Sequence, residues 1–145
     1  MAKKSQNWEA MMEEWFLKLP PLPKNAREAL VKITPWIALI FGILGILAGL
    51  AGFGLLAAFS PFIAMGSGLN GAAGSLVSAF LALVASVFLL LGFPGTKNKK
   101  MQGWKMLFWS EVISVIGAVI AISLSGVVFS AIGFYLLYQI KSYYK

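Results

Sequence analysis

Glu111 is the one ionisable side chain placed well inside a long apolar run, Met106 to Leu124. A carboxyl group at membrane depth is expensive, and such groups mark proton relays, cation sites or polar-ligand contacts by default. Five residues beyond Met106 correspond to about 8 Å along a helix rising 1.5 Å per residue. If the following turn is centred near Ser125, residue 111 lies level with position 139 of the returning helix. That position holds Gln139, the sole amide in any of the apolar runs, flanked by Tyr138 and within a turn of Tyr135, while Ser114 follows Glu111 on its own helix. Glu111, Gln139, Tyr138, Tyr135 and Ser114 therefore form the candidate polar site. Its chemistry would be proton relay, cation holding or recognition of a polar substrate. Snorkelling to the interface, or pairing with Lys105 or Lys141, accounts for the same carboxyl without a function.

The residue types that are missing narrow the chemistry further. The chain has no Cys, no His and no Asp, and its acids are five glutamates. Zinc, haem and iron–sulfur centres lack their usual thiolate and imidazole ligands, so no metal and no cofactor is expected. Ser-His and Cys-His nucleophile pairs cannot be assembled. An enzyme is therefore not expected, and no catalytic residue is assigned.

Composition supplies the setting in which Glu111 must be held. The chain is 59% hydrophobic and only 12% charged, against roughly 25% charged in soluble domains. A helix spans the hydrocarbon core with about 20 mainly apolar residues. Four segments answer to that description, at about 35–59, 71–93, 106–124 and 126–143. Their lysines fix an orientation: basic residues crowd the first 32 positions, the connection Lys97 to Lys105, and the tail from Lys141 to Lys145, while Ser60 to Asn70 and Ser123 to Gly126 carry none. By the positive-inside rule all three basic regions are cytoplasmic, with both termini inside. The formal charge of +7 thus reads as a topology signal beside anionic lipid, and no nucleic acid is expected as a partner. Trp36, Trp104, Trp109, Tyr138, Tyr143 and Tyr144 fall near the cytoplasmic ends, where aromatic rings anchor at the headgroups.

Residues 1–34 read as a cytoplasmic arm. Trp8, Met11, Met12, Trp15, Phe16 and Leu19 recur at helical spacing with glutamates mostly opposite, which predicts an amphipathic helix. It either lies on the bilayer or docks on the ends of its own bundle or a partner. The PPLP at Pro20 to Pro23 makes a stiff bend. Asn25 followed by Glu28 restarts a short helix, and Thr34 before Pro35 is a natural cap and first position for the opening span; the alternative is one continuous helix from Ala26 onward with a kink at the proline.

The first span holds FGILGILAGLAGFG, Phe41 to Gly54. At 100° per residue, Ala38, Gly42, Gly45, Gly49 and Gly52 fall on one arc of about 80°, with Gly54 outside it. Gly74, Ser78 and Ala82 in the second span and Gly117 in the third continue the pattern of small residues. In lipid, close backbone approach drives helix association. The stripe therefore packs the first span on the second, faces another subunit, or lines a pathway.

The fold expected for residues 35–145 is an all-α, integral membrane four-helix transmembrane bundle of two antiparallel hairpins, preceded by the arm. Size and span number resemble the small multidrug resistance transporters, but their essential acid lies in the first span, where this chain has none; no family is assigned. The expected function is a scaffold or accessory subunit acting through helix packing. The alternatives are an oligomeric proton- or cation-coupled transporter or channel using Glu111, and a lipid or hydrophobic-ligand binder. Expected partners are membrane lipids and a homo-oligomer or larger membrane complex, in a prokaryotic plasma membrane.

Overall fold

The computed structural model describes the backbone of Ala2–Lys145 and the side chains from Trp8 onward. Met1 and the side chains of Lys3 and Lys4, part of the basic arm, lie outside the described residues. Four helices carry the chain: α1 Ala2–Leu17, α2 Lys24–Lys97, α3 Met101–Ile120 and α4 Leu124–Ile140, closed by a 3-10 turn over Lys141–Tyr143. No strand occurs among the described residues. Three helical segments, Lys24–Lys97, Met101–Ile120 and Leu124–Tyr143, are long and apolar enough to cross a membrane.

α2 has 74 residues, and a straight helix of that length would reach about 110 Å at 1.5 Å per residue. It is broken at Gly68, whose φ of 78° and ψ of 168° are open to glycine and to little else. A Cβ at Gly68 would meet nothing within 4 Å, so the requirement is one of backbone conformation. The sequence pointed to a non-helical connection over Ser60–Asn70, but helix continues on either side of this one residue. Pro61 is tolerated because the carbonyl its missing N–H would have bonded, that of Ala57, accepts from the Ser60 hydroxyl at 2.9 Å. The helix also runs through Thr34 and Pro35, which is the continuous alternative rather than a fresh start at Pro35. Pro35 is buried, and the Thr34 hydroxyl donates back to the Leu30 carbonyl at 2.6 Å instead of capping.

The limbs of α2 before and after Gly68 meet along the glycine stripe. A Cβ at Gly42 would lie 2.7 Å from Leu90 Cγ, one at Gly45 would strike Ser86, and one at Gly49 would lie 2.7 Å from Leu83 Cγ. The pairs follow one another in reverse order along the two limbs. Further on the limbs separate: Gly52 and Gly74 face open space, and Ala82 is exposed while Ala85 and Ser86 take the buried positions. These three small residues were expected at a seam. The divergence of the limbs removes Gly52 and Gly74 from it, whereas Ala82, next to the Leu83 that meets Gly49, is on the exposed face of its helix.

α3 packs against the second limb through polar stitches as well as apolar contact. Ser110 donates to the Ala85 carbonyl at 2.8 Å and Ser78 to the Gly117 carbonyl at 3.2 Å. At the α2–α3 junction Gly95 and Gly103 bring backbone against backbone; a Cβ on Gly95 would sit 2.6 Å from Gly103 Cα. The tail closes this end, with Met101 N–H donating to the Lys145 carbonyl at 2.8 Å and Lys145 N–H to that of Lys99 at 3.0 Å.

The core gathers at the same end, around Val31, Ala38, Trp104, Phe108, Phe134 and Ile140. The opposite end is loose, and Met65, Leu69, Ile122 and Leu124 are all at least 80% exposed. The arm docks on protein. Trp8 meets Phe108 at a centroid distance of 5.9 Å, Phe16 stacks on Tyr138 at 5.3 Å, and Glu13 pairs with Lys141 at 2.6 Å. Of the expected interfacial anchors, Trp104, Tyr138 and Tyr144 are buried, while Trp36 and Trp109 are exposed.

Candidate functional site

The turn joining α3 to α4 decides what Glu111 faces. It falls at Ala121 to Ser123, with Ile122 in the left-handed region at φ 53°. Ser123 caps α4, its hydroxyl accepting from Gly126 N–H at 3.2 Å. Contacts therefore pair Gly126 with Ala118 and Gly133 with Glu111. The register centred near Ser125 had set Glu111 opposite Gln139; the earlier turn moves its partner six positions, about 9 Å along α4.

At Gly133 the absent side chain makes room for the carboxyl. A Cβ there would lie 2.8 Å from Glu111 Cδ and Oε1, so any other residue at 133 would displace the group. The carboxyl opens onto a groove of about 310 Å³ formed by α3, α4 and the first limb of α2, with Leu89 of the second limb. Leu30, Ile37, Phe41, Leu107 and Leu136 are among its walls, and Thr34 is its other polar side chain. Ile37 and Phe41 are 43% and 61% exposed, so the groove is not closed over along the first limb of α2. Thr34 spends its hydroxyl hydrogen on Leu30. Among the described residues Glu111 has no hydrogen bond and no ion pair.

The other members of the predicted polar site serve elsewhere. Tyr135 donates to the Pro20 carbonyl at 2.6 Å, and the Gln139 side-chain oxygen accepts from Leu22 N–H at 3.3 Å. Both thus hold the Pro20 to Pro23 bend. Tyr138 lies in the aromatic cluster, 5.8 Å from Trp104 and stacked on Phe16. Ser114 is half-buried and makes no hydrogen bond to Glu111. The polar relay expected around Glu111 is not assembled, because the shifted register sends Gln139 to the arm.

Sequence reasoning missed Gly133, Thr34 as a groove residue, and the junction glycines Gly95 and Gly103. Ser123 offered the signal for the first: read as a helix cap, it centres the turn at 122 and sets 111 against 133. Trp104, buried and donating its indole N–H to the Leu137 carbonyl at 2.8 Å, was read only as an anchor.

Comparison with known protein families, curated proteins and solved structures gives no match for this chain.

Proposed function

We propose that the chain is a non-enzymatic integral membrane protein that binds a hydrophobic ligand carrying a cationic or hydrogen-bond-donating group, taken up sideways from the bilayer into the groove at Glu111. In this reading four spans form two antiparallel hairpins, one from each limb of α2 and one from α3 and α4, with both termini in the cytoplasm. The reversed contact order within α2 and between α3 and α4 supports the hairpins, and the lysine distribution supports the orientation.

The observation that carries the reading is a carboxyl group without a protein partner at the wall of an apolar groove left open beside Ile37 and Phe41. A polar group in a low-dielectric site is destabilising until something satisfies it. The groove volume lies at the lower end of the range for small-molecule sites, roughly 300 to 1,000 Å³, and suits a ligand better than a whole helix. A transporter using Glu111 would need polar neighbours or a wet path, and Gln139, Tyr138 and Tyr135 are engaged elsewhere. The scaffold reading rests on a different surface, the lipid-side face of the first limb, where Ile40, Leu44 and Leu47 are more than half exposed.

The test uses the full chain in nanodiscs, titrated with a fluorescent lipophilic amine and with its N,N-dialkyl amide analogue, which has neither a charge nor an N–H to donate. A hydrogen bond to a charged group contributes about 1.5–3 kcal/mol, so Glu111→Gln should weaken the amine by about tenfold or more and leave the neutral analogue unchanged. Gly133→Leu, which pushes the carboxyl aside and fills the groove, should weaken both. Equal affinity of the unaltered protein for amine and amide would refute the role of Glu111.

A further inference from the structure

A second cleft lies where the proline bend, the start of α2 and the closing turn come together, and it points to a different ligand chemistry from the apolar groove. Its volume is about 420 Å³, and Arg27, Gln139, Lys141, Ser142, Glu13 and Tyr138 are among the residues around it. The bend positions two of these side chains through the two ends of one peptide residue. The Leu22 carbonyl accepts from Arg27 Nε at 2.9 Å, and Leu22 N–H donates to the Gln139 oxygen at 3.3 Å.

These two bonds determine what the side chains still offer. An N–H can only donate, so the Gln139 atom that faces Leu22 is the oxygen, and its NH2 group is the part left over. That residue is only 6% exposed, lines the cleft, and its NH2 has no hydrogen bond among the described residues. Arg27 is likewise held at Nε, which leaves the two terminal nitrogens of its fork. It is ion-paired to no carboxylate among the described residues, whereas Lys141 is neutralised by Glu13 at 2.6 Å. Ser142 adds a hydroxyl. A planar guanidinium fork beside an amide NH2 and a hydroxyl is a set of donors with one unbalanced positive charge, and such sets fit tetrahedral oxyanions.

We propose that this cleft binds a phosphate group through Arg27, Gln139 and Ser142, the phosphate being that of an anionic phospholipid headgroup or of a soluble phosphorylated small molecule. Gln139 precedes the tail lysines and so stands at headgroup level in the topology proposed above, while Glu13 and Leu17 of the arm also line the cleft, and it shares no lining residue with the apolar groove. The site does not depend on Glu111, and either assignment stands or falls alone.

The experiment takes the full chain in nanodiscs of phosphatidylcholine alone or doped with phosphatidylglycerol, and adds inorganic phosphate to the undoped discs. Lipid retention is read by native mass spectrometry and phosphate by the shift in thermal unfolding. Selective retention of phosphatidylglycerol assigns the headgroup, and stabilisation by phosphate but not chloride assigns the soluble source. Arg27→Gln should weaken the responding probe tenfold or more. Gln139→Glu keeps an oxygen for Leu22 N–H and so preserves the bend, yet replaces the donating NH2 by a negative oxygen, and should abolish the response. Lys99→Gln removes the same unit of charge from the α2–α3 loop and should change little. The proposal is overturned if neither probe is distinguished from its control, or if Lys99→Gln weakens binding as much as Arg27→Gln.

Discussion

Alanine at Gly42 and alanine at Gly52 are the same substitution on the same helix, and the structure gives them opposite signs. In each, replacing glycine gains up to about 1 kcal/mol of helix propensity. At Gly52 the new Cβ meets nothing within 4 Å, so the gain stands alone. At Gly42 it would lie 2.7 Å from Leu90 Cγ and Cδ2 and 3.2 Å from the Leu90 backbone nitrogen, against a comfortable carbon separation of about 3.5–4.0 Å. The Leu90 side chain can swing away, but its backbone nitrogen moves only if the limbs part. Overpacking of this kind costs about 1–3 kcal/mol, and subtracting the two variants cancels the propensity. Gly42→Ala should therefore be less stable than Gly52→Ala by about 1–3 kcal/mol. Reversible unfolding in mixed detergent micelles, followed by tryptophan fluorescence, measures the difference. Adding Leu90→Ala to Gly42→Ala should recover part of the loss, with a coupling of about 0.5–3 kcal/mol for residues in contact. Equal stability of the two single variants, or additivity with Leu90→Ala, would refute the packing of one limb of α2 on the other and leave the stripe facing another molecule.

Three other outcomes follow from particular residues. Gly68→Ala has open space for its methyl but a backbone conformation closed to it, and should lower stability by about 1–3 kcal/mol; a neutral effect would show that the break does not need that conformation. Ile122 sits at φ 53° and is 91% exposed, so Ile122→Gly relieves a left-handed β-branched residue and should raise stability by up to about 1–2 kcal/mol. The native chain has no cysteine, so single cysteines report topology without background. Ser67→Cys and Ile122→Cys should react with an impermeant maleimide added outside intact cells, and Lys99→Cys only after lysis; the reverse pattern would refute the orientation.

Helix content, the three basic regions and the face of the first glycines were all legible in the sequence. Each depends on residues close together in the chain: apolar length, the positions of lysine, and 100° of rotation per residue. Gly42, Gly45 and Gly49 fall on one face wherever that face points. Their partners Leu90, Ser86 and Leu83 could not be read, because the register of two helices depends on where the chain reverses, and a single φ at Gly68 settles that.

The candidate site shows the same division with larger consequences. The sequence alone singled out Glu111 as the one acid in an apolar run and Gln139 as the one amide. It did not fix the turn between them to better than a few residues, and on a helix three positions of turn shift become six of register. The tertiary structure sets Glu111 against Gly133 and gives Gln139 to the proline bend. It also decides that the arm packs on Phe108 and Tyr138, since an amphipathic face satisfies lipid and protein equally well by composition, and only the aromatic surface presented by α3 and α4 distinguishes them. Residue types determined which chemistries this protein can carry; the positions of two turns determined which residues share them.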